Sequence, residues 1–456
     1  MAPHSLFAIA RHLSRAECEA IAKQVLSFST ADECRVTVDS GTRQNSRFAV
    51  NQISTAGDNY NVSVNIRSVF GRKVANVSVN RLDDAALRAA VRNSERIARL
   101  APDDPELMPE LGPQTYQDPI VWSDSTASLE PSSRADAVRA ITEPARAAGL
   151  ISTGYLEAQA GSTGIANSKG LFAYARETAS AFTTTVRTPD GTGSGWAGAS
   201  DNDFRRIDSK VLAERAIDKA RRSMNPVGIE PGRYTVVLEP TAVANLVSLI
   251  SRSVNARSAD EGRSFFSKAG GGNKIGEKVV DERVTLVSDP LDPRVPATTF
   301  GGDGLPNRAV TWIENGVVKN LAYDRFWAQK TGNEPVSGGG TLSMAGGESS
   351  IEEMIASTER GILVTRFWYI RGVDPRTILF TGLTRDGTFL IENGKITRPI
   401  KNLRYNESPI FMLNNLQMVG RPERVSGSES GGPGQALMVP PIKARDFNFT
   451  STSDAI

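Results

Sequence analysis

The sequence predicts an α+β protein: N-terminal and middle α+β regions, then a β-rich C-terminal domain with long hairpins. Three observations carry that class. Short stretches of strict apolar–polar alternation recur along the chain, the mark of half-buried strands. Several windows show apolar residues at helical spacing. Two apolar runs each end in Asn-Gly, at Asn315-Gly316 and Asn393-Gly394, followed by a further strand-like run. Asn-Gly tolerates positive φ at both turn positions and so predicts tight hairpins.

Taken in order, Ser14-x-x-Glu17 makes a capping box for a first helix, with Cys18, Ile21, Ala22 and Val25 on one face. Arg35–Val38, Asn61–Ile66 and Lys73–Val79 alternate as strands, the last entered from a turn at Gly71. A helix over 82–100 follows, with Leu87, Val91, Ser94 and Ile97 on one stripe. Residues 1–100 thus form an N-terminal α+β domain. Residues 101–119 are rich in proline and acidic groups without periodicity and read as an extended linker. Residues 120–224 form a middle α+β region, with helices over 132–148 and 208–222 and strands over 151–160, 170–176 and 181–188. Asn225-Pro226 and Pro231-Gly232 break the chain. The C-terminal domain, 225–456, opens with a short strand, Tyr234–Leu238. One strong helix over 241–257 then presents Val243, Leu246, Val247, Ile250 and Val254.

Composition narrows the function classes. At 456 residues the chain exceeds one ordinary core. A net charge of +2 gives no basis for a nucleic-acid or anionic-membrane partner. No window approaches a membrane span. The N-terminus lacks a basic start followed by a long apolar run, so no signal peptide is expected and the cytoplasm is the expected compartment. Two cysteines, Cys18 and Cys34, form no disulfide framework, and Cys18 reads as a small buried apolar residue. The only histidines are His4 and His12. Beyond Cys34 the chain therefore carries neither imidazole nor thiol. A Ser-His-Asp triad or Cys-His pair would have to recruit the N-terminal segment, and a His/Cys zinc site in the C-terminal half has no ligands.

Gly270-Gly271-Gly272 lacks the Gly-Lys-Ser/Thr ending of a phosphate loop and leads into a strand, so it reads as a mobile loop. Gly191-x-Gly193-x-Gly195 lacks a surrounding βαβ unit. Between Arg366 and Pro409 the chain gathers Trp368, Tyr369, Arg371, Asp374, Arg376, Arg385, Asn406 and Glu407. Aromatic and arginine residues together suit recognition of another chain. Surface turns tied by ion pairs, such as Arg385 with Asp386, explain the same residues.

Several segments together resemble the TldD/PmbA (TldD/TldE) family. They include Ser68-Val69-Phe70-Gly71-Arg72-Lys73, Gly262-Arg263-Ser264-Phe265-Phe266 and Ile275-Gly276-Glu277-Lys278-Val279. Gly302-Asp303-Gly304-Leu305-Pro306 and the hairpin ending Lys395-Ile396-Thr397-Arg398-Pro399-Ile400 belong with them. Order and spacing hold from about Val36 to Phe447. The resemblance implies a peptidase-like C-terminal domain. In the family's active subunit a His-Glu-x-x-x-His helix and a later Cys hold zinc, and the Glu activates a water. Counting back from Gly262 puts that motif on Val247, Ser248 and Arg252. The family's Cys precedes a Gly-x-x-Gly-Gln turn, here Gly431–Gln435, and so falls on Ser430. Arg252 would set a cation where zinc should sit.

The resulting expectation is a TldE/PmbA-like subunit with no metal or other cofactor of its own. It would form a dimer, with itself or with a zinc-bearing TldD-like subunit, and act on unfolded or small peptides. A metal-independent enzyme using Ser248, Glu261, Tyr369 or Asp374 is the alternative, and a peptide-binding protein is a third.

Overall fold

The structure, a computed structural model, describes residues 12–426 and 436–453. Ser14 accepts from the Glu17 amide, and the Glu17 carboxylate accepts from the Ser14 amide. That capping box starts α1 (Arg15–Phe28), which buries Cys18, Ala22 and Val25. Strands β1 (Glu33–Ala49), β2 (Gln52–Phe70) and β3 (Lys73–Val79) follow, then α2 (Asp84–Leu100) capped by Asp83. Leu87, Val91 and Ser94 of the α2 stripe are buried, but Ile97 is exposed and Ala98 takes its place. After α3 (Asp124–Ala127) and α4 (Pro131–Ala147) come β4 (Ile151–Asn167), β5 (Phe172–Arg187), β6 (Ser194–Asp201) and α5 (Ser209–Arg222).

The first six strands make one antiparallel sheet in the order β3-β2-β1-β4-β5-β6. β1 pairs with β2 on one side and β4 on the other along almost its whole length. The N-terminal and middle regions therefore share a sheet. β1 and β2, at 17 and 19 residues, run far past the alternating stretches that announce them. Past Gly41 the side chains are mostly polar, and main-chain ladder bonds rather than apolar burial carry the strands on. At the far end Val50 and Asn51 both take positive φ, 50° and 60°. Asn51 Oδ1 holds that turn by accepting from the Ser152 amide and hydroxyl, both at 2.7 Å.

The C-terminal part begins with β7 (Gly232–Leu238), α6 (Pro240–Ser251) and α7 (Ala256–Asp260). The single helix expected over 241–257 is split: Asn255 caps α7 by accepting from the Ser258 amide at 2.8 Å. Next come β8 (Leu286–Ser288), β9 (Val310–Glu314), β10 (Val317–Val318), α8 (Arg325–Thr331), β11 (Leu342–Met344), α9 (Ile351–Ala356), β12 (Arg360–Asp374) and β13 (Leu379–Glu392). The chain closes with β14 (Lys395–Pro399), β15 (Asn402–Glu407), α10 (Pro409–Asn414), β16 (Leu416–Val419), β17 (Glu423–Ser426), β18 (Ala436–Val439) and β19 (Ile442–Ser453). Both Asn-Gly hairpins form as read: Glu314 pairs with Val317 and Glu392 with Lys395, and all four turn residues have positive φ.

Two further sheets result. One runs β10-β9-β8-β11-β18-β17. In the other, β12, β7, β19, β15 and β13 close into a ring because β12 also pairs with β13. Aromatics fill the ring: Phe367 stacks on Phe447 at 5.6 Å and meets Tyr405 edge-on at 4.7 Å. The 241–250 segment is buried on nearly every side, in the largest apolar cluster, so α6 is a core helix rather than an amphipathic one.

Residues 101–123 have no helix or strand, yet they form a bound strap rather than a free linker. Glu110 is buried against Arg67 and Arg35, at 2.7 and 3.3 Å. Glu106 takes a two-pronged contact from Arg257, and the Tyr116 hydroxyl donates to the Gly304 carbonyl at 2.7 Å. Further ties join the first sheet to the C-terminal part. Lys219 meets Glu239 at 2.7 Å. The Ser194 hydroxyl donates to Asp386 at 2.5 Å, and Arg424 donates to the Ser200 carbonyl at 2.9 Å. No helix among the described residues is long and apolar enough to cross a membrane.

Two measurements check this packing. Val247 is fully buried on α6, so Val247→Ala should lower unfolding free energy by about 2 kcal/mol in denaturant titration; no change would mean that face is not packed. Burial pushes the Cys18 and Cys34 thiols up to about 11. Neither should react with a thiol reagent at pH 8 in the native chain, and both should react in guanidinium. Rapid native labelling of either would contradict their placement.

Candidate functional site

The helix implied by the resemblance to carry the lost zinc motif is α6. Pro240 suits its first turn, where an N–H would have no partner. Asn245, buried within it, accepts from the Phe367 amide at 3.1 Å and so ties the helix to β12. Its C-terminal end reaches open space. There Ser248, Ser251 and Arg252 line a cavity of about 330 Å³. The opposite wall is Ser288 of β8, Trp312 of β9 and the glycine run Gly338–Thr341 that leads into β11.

The walls are held by their own hydrogen bonds. Ser288 accepts from the Trp312 indole at 2.8 Å and donates to the Thr341 carbonyl at 2.5 Å. Ser248 donates to the Asn245 carbonyl at 3.3 Å, and Ser251 to the Ser248 carbonyl at 2.8 Å. A Cβ at Gly338 would sit 2.8 Å from both the Ser288 Cβ and the Trp312 ring, so glycine there lets the loop lie against this wall.

The structure places the three positions differently. Residues four apart on a helix lie about 40° from each other and share a face. Ser248 and Arg252 accordingly face the cavity together. Val247 points into the core and does not line it. Ser430, the position counted to the family's Cys, and the Gly431–Gln435 turn lie outside the described residues, as does His4. Among the described residues, the cavity side chains offer hydroxyls, an indole and a guanidinium, with no imidazole, thiolate or carboxylate. Such a set does not fit a zinc ion. Among the described residues no three His, Cys, Asp or Glu side chains gather as metal ligands.

The residues singled out between Arg366 and Pro409 separate into three groups. Tyr369, Arg371 and Arg376 are exposed near the free end of the β12–β13 hairpin, with Arg371 over the Tyr369 ring at 4.2 Å. Asp374 shapes that end, accepting from the Arg376 amide and the Thr377 hydroxyl, both at 2.9 Å. Trp368 and Arg385 belong instead to a half-buried stack. Arg366 and Arg385 each lie 5.1 Å from the Trp368 ring, and Arg366 also lies 4.7 Å from Trp196 of β6. Asp386, read as part of a surface turn, is buried there beside Arg366 and Arg385, both at 3.7 Å.

Asn406 and Glu407 are structural. The Asn406 carbonyl accepts from Asn448, and the buried Glu407 carboxylate accepts from the Ser408 and Asn448 amides at 2.7 and 3.0 Å. Burial pushes the Glu407 carboxyl above the usual range. Glu407 is therefore no surface contact; period-two placement on β15 turns it inward. The residues weighed for metal-independent chemistry do not converge: only Ser248 lines the cavity, while Glu261 is held by Arg257 and Arg263 at 3.0 and 2.9 Å. Nor does Gly270–Gly272 form a phosphate loop. It is a turn with Asn273 anchored on Asp260 at 2.7 Å. Sequence reasoning passed over Ser337-Gly338-Gly339-Gly340-Thr341, whose uninterrupted glycines were the available signal.

A larger cavity, of about 730 Å³, lies over the first sheet between β1, β4, β5 and the Thr298–Gly302 loop. Small polar residues such as Thr37, Gly41, Ser162 and Thr163 line it.

Comparison with known proteins adds the family. Residues 231–451 match the PmbA/TldA metallopeptidase C-terminal domain, and residues 124–224 match the central domain. A metalloprotease of Methanothermobacter thermautotrophicus is 25% identical over 256 residues, 52% of this chain and 53% of that protein. A metalloprotease TldD homolog of Haemophilus influenzae is 25% identical over 234 residues, 48% of this chain and 46% of that protein. The chain thus spans about half the length of these curated relatives. The crystal structure of TldE from Thermococcus kodakarensis shares the fold. Its TM-score is 0.83 at 19% identity, with 96% of this chain and 100% of that one covered. Two matched domains in the expected order, on a TldE-like α+β fold, establish the assignment: the chain belongs to the PmbA/TldD metallopeptidase family.

Proposed function

We propose that this chain is the zinc-free, TldE/PmbA-like subunit of a TldD/TldE-type peptidase that acts on unfolded or small peptides. It completes a dimer with a zinc-bearing TldD-like subunit. The observation that carries this reading is the donor set at the end of α6. Where the resemblance implies zinc ligands, Ser248 and Arg252 face the cavity, and the whole sequence beyond Cys34 has no His or Cys to replace them. A guanidinium repels a divalent cation at short range. The sequence names of the relatives, metalloprotease and TldD homolog, supply the peptidase context.

Surfaces for a partner support the dimer. β3 pairs with β2 only from Val64 to Phe70, so the outer edge of β2 over Gln52–Ser63 has no strand beside it among the described residues. Open edges recruit strands or are covered. The exposed Tyr369, Arg371, Val373 and Arg376 near the β12–β13 hairpin end add an aromatic and cationic contact surface. An extended peptide is read by main-chain bonding along an edge, which tolerates varied sequences.

Two experiments test the reading. After chelation, dialysis and re-exposure to zinc, the chain should retain well under one zinc per molecule by mass spectrometry and hydrolyse no unfolded peptide. Adding a zinc-bearing family member from the same source should yield activity above that member alone. A tightly held zinc, or turnover by this chain alone, would favour the altered-enzyme alternative. Light scattering at micromolar concentration should give a dimer mass for the mixture, with an interface above ~2,000 Å² as in obligate dimers. Monomers in both the single and mixed samples would contradict the subunit role.

A further inference from the structure

The cavity at the end of α6 is not merely an emptied metal site. Its polar groups divide by what they can still offer. The Ser248, Ser251 and Ser288 hydroxyls already give their protons to backbone carbonyls, and Ser288 also accepts from the Trp312 indole, so Ser248 and Ser251 are the ones that keep lone pairs for a donor. The free donors are different groups. The Arg252 guanidinium, exposed on the cavity wall, makes no ion pair or hydrogen bond among the described residues. The backbone N–H groups of Gly338, Gly339 and Gly340 likewise donate to nothing there. Gly339 has φ +72°, and the run lines the cavity with bare backbone.

A guanidinium and successive unsatisfied amides suit an anion with two or more oxygens. Beside them lie Val254, Ala322, Val336 and Leu437, which suit an aliphatic side chain. The serine lone pairs suit an incoming amide N–H. At about 330 Å³ the space is at the small end of ligand pockets, enough for the end of a peptide and not a folded domain. Inorganic phosphate would use the donors but neither the aliphatic wall nor the acceptors.

We propose that this cavity binds the C-terminal carboxylate of a short peptide with an aliphatic last residue. Arg252 and the Gly338–Gly340 amides hold the carboxylate, and the serines accept from the last peptide N–H. The proposal rests on the reading that peptides reach this subunit, and adds which end is held.

The test is calorimetric titration of the purified full chain with N-acetyl-Ala-Leu, with its C-terminal amide, and with inorganic phosphate. The acid should bind at least tenfold more tightly than the amide or phosphate. Arg252→Gln should weaken the acid at least tenfold, and Arg252→Lys should fall between, with both variants melting like the parent. Equal binding of acid and amide, tighter binding of phosphate, no binding at all, or an unaffected Arg252→Gln would each overturn the proposal. The two readings fail separately: loss of the carboxylate preference leaves stimulation of a zinc-bearing partner to be measured, whereas absence of stimulation leaves this titration intact.

Discussion

The C-terminal half depends on one constraint: α6 is buried on nearly every side. From Ala242 to Ile250 each residue is buried, among them Asn245 and Ser248. A helix with no solvent face must have its polar groups bonded internally and its neighbours fitted to it. Asn245 meets the first demand by capturing the Phe367 amide of β12. The ring of β12, β7, β19, β15 and β13 and strands β17 and β18 of the other sheet meet the second. The consequence reaches function. Of its side chains, Ser248, Ser251 and the capping Arg252 at its C-terminal end line a cavity.

The same burial explains how the two halves of the molecule are coupled. Glu239, the residue just before α6, meets Lys219 of α5. Arg366, beside the Phe367 that Asn245 holds, lies between Trp196 and Trp368 and next to Asp386. Asp386 has positive φ, 56°, and accepts from Ser194 of β6. A strained backbone with a buried charge persists only where its surroundings over-determine it. Here those surroundings come from both the first sheet and the closed ring, so the seam and the α6 environment are one structure.

Legibility followed locality. The Ser14–Glu17 capping box, the Asn-Gly turns and the apolar positions of α6 are set by a few adjacent residues, and each stood where the sequence put it. The extent of β1, β2, β4 and β5 was not legible, because ladder bonds between distant segments sustain strands whose side chains are polar or small. For the same reason nothing local announced that residues 33–79 and 151–201 share a sheet. Asp386 read as part of a surface turn because its partner on β6, Ser194, is remote in sequence. At the site, the absence of His and Cys was plain, and Arg252 was found by counting along the chain. Helical geometry then separated Val247 from Ser248, and the fold brought the glycine run at 338–340 across from Arg252.

The central proposal is that this chain carries no zinc and works with a partner that does. Anomalous diffraction at the zinc edge, from crystals of the chain combined with a zinc-bearing family member, tests it most directly. The account predicts one peak per pair, within the partner, and none beside Arg252. A zinc peak in the cavity between α6 and the Gly338–Thr341 loop would contradict it.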